Sequence, residues 1–159
     1  MMLDGALVDT SFLISLVKPA EANHGAAKSY YKGCLERQIP LYLSTIVISE
    51  FTVKQAVTDP GLRNYFVLPF NIDHAIKAGQ LGPQIERDPA DATTVVKDDV
   101  KLIAQCACEG ISHLLIGDKA LAKYRHKLRD AGQLVTLPIV LRDGYDEAWF
   151  TNGQRGLNI

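Results

Sequence analysis

Four acidic residues, far apart in the chain, stand where an apolar run ends or a helix begins. They are Asp9 in ALVDTSFLISLVKP, Glu50 in LYLSTIVISEFTV, Asp99 in VVKDDVKLIAQCA and Asp118 in HLLIGDKALAKY. A fold that gathers strand ends and helix starts into one crevice brings these carboxylates together. Clustered carboxylates repel one another and resist ionisation unless a cation neutralises them. Oxygen-only ligation of that kind suits Mg²⁺ or Mn²⁺. Such a cation lowers the pKa of water and offsets charge developing on a phosphate, so the chemistry indicated is metal-dependent hydrolysis of a phosphodiester. Nothing in the chain suggests covalent catalysis, because no Ser–His–acid or Cys–His arrangement is present. His24, His74, His113 and His126 are scattered without ligand spacing and are assigned to surface or core.

Each acid also has an ordinary structural use. Asp9 precedes Thr10 and Ser11 and can cap a helix, yet an acid directly after a core strand needs partners for its charge. Glu50 lies four residues before Lys54, the spacing of a solvated helical ion pair, while its spacing from Val47 and Val53 places it at the border of an apolar face. Asp98 or Asp99 can open a helix, where the dipole favours an acid. Asp99 stands four residues before Ile103, on the inward stripe, so Asp99 is chosen and Asp98 is held in reserve. Asp118 can serve as a turn residue or as a cap.

The elements that must position these acids alternate. Strands are expected at Ala6–Val8, Leu41–Leu43, Phe66–Leu68, His113–Ile116 and Leu134–Leu137. Between them, helices are expected after Thr10 or Ser11 up to Pro19, from Glu21 to Arg37, after Ser44 or Thr45, from Asp73, from Asp98 or Asp99 to Gly110, and over Lys119–Asp130. Alternation of this kind predicts a three-layer α/β/α sandwich around a mostly parallel central sheet. In such sheets the ligand crevice lies beyond the carboxyl ends of the strands, and Asp9 and Asp118 both follow strands directly.

With 159 residues, 47% of them hydrophobic, the chain is read as one domain, residues 1–159, with 144–159 a C-terminal extension available to cover the sheet edge or meet a partner. The 17 Lys and Arg nearly balance 18 Asp and Glu, so no global basic field advertises nucleic acid. Local charge does: Lys119 and Lys123 share a helical face beside Asp118, with Lys54 and Lys97 as lesser candidates, although a solvated helix face accounts for such lysines equally well. Cys34, Cys106 and Cys108 lack metal-ligand spacing and read as reduced thiols of a cytoplasmic protein. No apolar stretch approaches the ~20 residues needed to span a bilayer, so no membrane role is expected.

These segments resemble the PIN-domain nucleases, particularly the VapC-type toxins of toxin–antitoxin pairs. LVDTSFLISLV is similar to the family's opening strand and first acid, and STIVISEF to its second-acid helix. KDDVKLIAQCACEGISHLLIGDKAL matches its third-acid helix, the next strand and the fourth acid in order and spacing. The resemblance covers roughly residues 5–137 and implies a PIN-like fold with Asp9, Glu50, Asp99 and Asp118 as catalytic metal ligands, direct or through water. It implies a Mg²⁺- or Mn²⁺-dependent endoribonuclease that cleaves single-stranded RNA with metal-activated water, a small antitoxin as inhibitor, and a homodimer. One departure is Ile116, where the family often carries Thr or Ser two residues before the fourth acid; Ser11, with Asp98, is available to support the site instead. The competing readings are a non-catalytic PIN-like module that binds RNA or protein and, more remotely, an aspartyl-phosphate phosphotransferase. The latter wants a second acid where Ser11 stands.

Overall fold

The computed structural model describes residues 2–56, 61–85, 93–117 and 136–151, with 93–97 as backbone alone. Five parallel strands form one sheet in the order β3-β2-β1-β4-β5. They are β1 (Ala6–Val8), β2 (Leu41–Ser44), β3 (Phe66–Leu68), β4 (His113–Ile116) and β5 (Leu137–Val140). Helices α1 (Thr10–Val17) and α2 (His24–Glu36) join β1 to β2, and α3 (Thr45–Thr52) joins β2 to β3. Helices α4 (Ile72–Leu81) and α5 (Thr93–Glu109) carry the chain from β3 across to β4, and α6 (Ala148–Thr151) follows β5. The β1–β2–β3 crossovers run one way along the sheet and the β3–β4 crossover runs back. Right-handed connections therefore place α1–α3 and α4–α5 on opposite faces, giving the three-layer α/β/α sandwich.

The central strands β1 and β4 are short and mostly apolar because they are covered on both sides. Ala6, Leu7, Val8, Leu114, Leu115 and Ile116 are fully buried. Phe12 and Leu13 of α1, Val47 and Phe51 of α3, and Ile103 and Ala104 of α5 supply the layers above and below. Each large apolar side chain so enclosed contributes on the order of 1.5–3 kcal/mol.

Three expectations need correction. The last strand is Leu137–Val140 rather than Leu134–Leu137. Among the described residues β5 pairs with β4 alone, at the sheet edge, where the missing N–H of Pro138 is tolerated. Helix α5 begins at Thr93, so neither Asp98 nor Asp99 opens it; both lie more than a turn inside. The cap of α1 is Asp9 itself, whose side chain accepts from the Phe12 N–H, rather than Thr10 or Ser11. The helix expected over Lys119–Asp130 lies outside the described residues.

The opening of the C-terminal extension is packed onto the domain. Leu3 N–H donates to the Trp149 carbonyl at 2.8 Å, and Trp149 meets His113 edge-on at 5.5 Å. Phe150 lies against Gly33, where a Cβ would come within 2.8 Å of its ring, and the Arg37 guanidinium sits 4.4 Å from its centroid. The three cysteines are free; burial pushes the Cys34 thiol up to about 12, so it stays protonated.

Candidate active site

The sheet order reverses between β1 and β4, since the chain leaves β1 toward β2 on one side and meets β4 on the other. That reversal opens a crevice at the carboxyl ends of the two strands. Asp9 follows β1 immediately, and its N–H continues the ladder to the Leu115 carbonyl at 3.1 Å. One Asp9 oxygen caps α1 through the Phe12 N–H at 2.8 Å. Capping and membership of the crevice are therefore compatible, and the cap fixes the carboxylate's orientation.

Ser11 holds the same carboxylate from the other side. Its Oγ lies 2.7 Å from both Asp9 carboxylate oxygens and accepts from the Gly117 N–H at 2.8 Å. Gly117 directly follows β4, so this hydroxyl links the two strand ends across the reversal. A Cβ on Gly117 would fall 2.6 Å from Ser11 Oγ, closer than atoms of a side chain tolerate, so only glycine allows the approach. The Gly117 carbonyl in turn accepts from Asn23 Nδ2 at 3.2 Å, which ties the entrance of α2 to the same point.

Glu50 reaches the crevice from α3. Thr10 Oγ1 donates to Glu50 Oε2 at 3.0 Å, which binds the second acid to the residue beside the first. Burial pushes the Glu50 carboxyl above its usual range; the Thr10 hydrogen bond opposes this, the charge of Asp98 adds to it, and Lys54 and Lys101 oppose it. Asp98, half-exposed on α5 and 3.3 Å from Lys101 Nζ, therefore faces Glu50 electrostatically. Asp99, one position on, is also partly buried. Val53 lies beyond the end of α3 and is 85% exposed, so the apolar border expected for Glu50 comes from Val47 alone.

Asp9 and Ser11 are thus brought together, and Glu50 is tied to Thr10 beside them, with the charge of Asp98 acting on Glu50. Asp118, Lys119 and Lys123 lie outside the described residues. Among the described residues no three acidic, histidine or cysteine side chains close on one point as a ready metal cage. The donor set nevertheless fits a hard divalent cation in kind. It is oxygen-only, and the carboxyl of Glu50 is held up by burial and a neighbouring negative charge, the conflict that a bound cation relieves. Thr10, Asn23 and Gly117 were not singled out from sequence. Gly117 offered a signal, a glycine wedged between a strand and an acid. Asn23 offered none, because its partner is 94 residues away.

No protein-family profile and no curated protein matches the sequence. Solved structures do match the fold. VapBC2 from Rickettsia felis, bound to a DNA fragment from its promoter, superposes with a TM-score of 0.60 at 10% identity, covering 86% of this chain and 98% of that one. VapC20 of Mycobacterium tuberculosis, described as a Sarcin-Ricin loop cleaving toxin, gives 0.57 at 19% identity over 74% of this chain and 93% of that one. FitAcB from Neisseria gonorrhoeae gives 0.58 at 13% identity over 84% and 96%. This is a VapC-like PIN-domain fold. Among the described residues, no helix is long and apolar enough to cross a membrane.

Proposed function

We propose that this protein is a Mg²⁺- or Mn²⁺-dependent endoribonuclease acting on single-stranded RNA, and the toxin of a toxin–antitoxin pair. The observation that carries the reading is the pair of partly buried carboxylates at the strand-order reversal, Asp9 and Glu50. Thr10, Ser11 and Gly117 hold them in place. Asp9, Glu50, Asp99 and Asp118 are the proposed cation ligands, with Ser11 and Asp98 in support and Lys119 and Lys123 as phosphate contacts. When bound, the cation would lower the pKa of water and offset negative charge on the scissile phosphate. The chain's own part is to keep Asp9 oriented by two hydrogen bonds and to keep Glu50 ionisable through the Thr10 hydroxyl. The likeness to VapBC assemblies supports an antitoxin partner, and a homodimer is proposed with it.

The test is cleavage of a mixed-sequence single-stranded RNA in Mg²⁺, Mn²⁺ or EDTA by wild type and Asp9→Asn. Asparagine caps a helix about as well as aspartate, so the variant keeps its fold. Cleavage that needs the cation and falls by at least about 10³-fold in the variant is expected. Cleavage that persists in EDTA or in Asp9→Asn contradicts the reading.

A second reading, a non-catalytic module that binds RNA or protein, is favoured by one observation: Ile116 offers no hydroxyl two residues before Asp118. Mn²⁺ affinity separates the two, since an inert module has no use for tight binding.

A further inference from the structure

An open cavity of roughly 710 Å³ lies between the end of α1 and the first turns of α2, lined by Leu16, Pro19, His24, Lys28, Tyr31 and Lys32 among others. We propose that this cavity carries the flank of a single-stranded RNA substrate, its phosphates on Lys28 and Lys32 and a base on Tyr31. The proposal rests on the ribonuclease reading and names where the strand leaves the acids.

Charge supports the assignment. The chain is close to neutral overall, yet the described charged side chains lining this cavity are two lysines and no carboxylate. Lys28 and Lys32 lie one turn apart on the same face of α2, about 6 Å along its axis. Lys28 is exposed and has no carboxylate within ion-pair distance among the described residues. Lys32 reaches Glu36 at 3.7 Å but stays 75% exposed, so that contact is solvated and readily exchanged for a phosphate.

The aromatic wall is held in advance. Tyr31 Oη accepts from Asn64 Nδ2 at 2.7 Å, and its ring packs at a tilt against Tyr65, 6.0 Å between centroids. A ring fixed from behind stacks a base without first being ordered. Leu16 and Pro19 supply an apolar floor beside it. A cationic rail with an aromatic platform is the usual way to hold single strands without reading sequence.

Position supports it too. Helix α1, capped by Asp9, ends beside the cavity, about 12 Å away along its axis. Asn23, next to His24 of the lining, touches Gly117 at the crevice itself. A strand with its scissile phosphate at the acids therefore enters the cavity within a few nucleotides.

The test measures binding rather than cleavage. A fluorescein-labelled oligouridylate of about ten nucleotides is titrated with the full chain carrying Asp9→Asn, in EDTA, by fluorescence anisotropy at several salt concentrations. Adding Lys28→Ala with Lys32→Ala is expected to raise Kd about tenfold and to flatten the salt dependence by about 1.4 log units per decade. Tyr31→Ala is expected to raise Kd about tenfold, while Tyr31→Phe, which keeps the ring, changes it less than about twofold. Lys77→Ala with Arg142→Ala removes the same charge away from the cavity and serves as control. If the two double variants weaken binding equally, the cavity is not the RNA path and the proposal fails. RNA binding that depends on Lys28 and Lys32 without any cleavage by the wild type would keep the cavity and overturn the ribonuclease reading. The converse result would do the opposite.

Discussion

The two ends of the sheet are built from opposite materials. At the carboxyl ends of β1 and β4 the chain places hydroxyls, an amide and carboxylates, with Ser11 between Asp9 and the Gly117 N–H and Thr10 on Glu50. At the amino ends it places Trp149 on His113 and Phe150 on Gly33 under the Arg37 guanidinium. The first end keeps Asp9 and Glu50 partly buried, with burial and the charge of Asp98 opposing ionisation of Glu50, which costs stability and which, under the proposed function, a bound cation would relieve. The second buries aromatic surface and satisfies Leu3 with a backbone hydrogen bond, which adds stability, and the Asp4 carboxylate beside it accepts from the Ser112 hydroxyl. Division of labour of this kind makes the two ends separable by mutation.

The largest effect expected is at the aromatic end. Phe150→Ala removes a ring that is 7% exposed and should lower unfolding free energy by about 3 kcal/mol, read by urea denaturation. Mn²⁺ affinity of the folded fraction should not move; a parallel loss would break the comparison. At the carboxyl end, Gly117→Ala forces a Cβ into Ser11 and should weaken Mn²⁺ binding by about tenfold or more, measured by calorimetry. If the effect passes through Ser11, adding Ser11→Gly removes the obstruction, and the alanine at 117 then costs little more.

Asp9 sharpens the contrast, because it caps α1 and is also a proposed cation ligand. Asp9→Ala removes the cap of α1 and should cost about 1 kcal/mol, whereas Asp9→Asn should leave stability nearly unchanged. Thermal melts of the two variants, both deficient in Mn²⁺ binding, separate the structural use of the residue from the functional one.

The smallest effect concerns Glu50. Its carboxyl is held above the usual range, first by burial, so the native state binds this proton more tightly than the unfolded chain does. That preference is fully present below the unfolded-state pKa and is lost as pH rises through the folded value. In metal-free protein at neutral pH the ionised Glu50 therefore works against folding. Glu50→Gln should melt higher than wild type near pH 7 in EDTA, and the difference should close toward about pH 4. A lower melting point for the variant at neutral pH would mean that the crevice stabilises the charge without a cation.

How far these features were visible in advance differs between the ends. The strand–helix alternation and four of the five strands were readable because buried parallel strands are continuous apolar runs and α1 and α3 open directly after them. The fifth was displaced because Pro138 lies inside an edge strand, where pairing on one side only overrides local preference. The start of α5 was placed late, since two adjacent acids resemble an N-terminus even within a helix. Asp9, directly after β1, and Glu50, within the helix after β2, are candidates by their place, and their role as ligands is a proposal. Their fixing by Thr10, Ser11 and Gly117 was not recognisable, because those contacts join residues 40 and 106 positions apart and depend on how the strands are ordered. The aromatic closure was equally hidden: Phe150 and Gly33 meet only once the extension folds back along α2.

The most direct test of the shared carboxylate site is a Mn²⁺ titration of wild type, Asp9→Asn and Phe150→Ala, followed by calorimetry. One saturable site in the wild type, weakened at least about tenfold by Asp9→Asn and untouched by Phe150→Ala, is the result predicted here. Equal Mn²⁺ affinity in wild type and Asp9→Asn would contradict it.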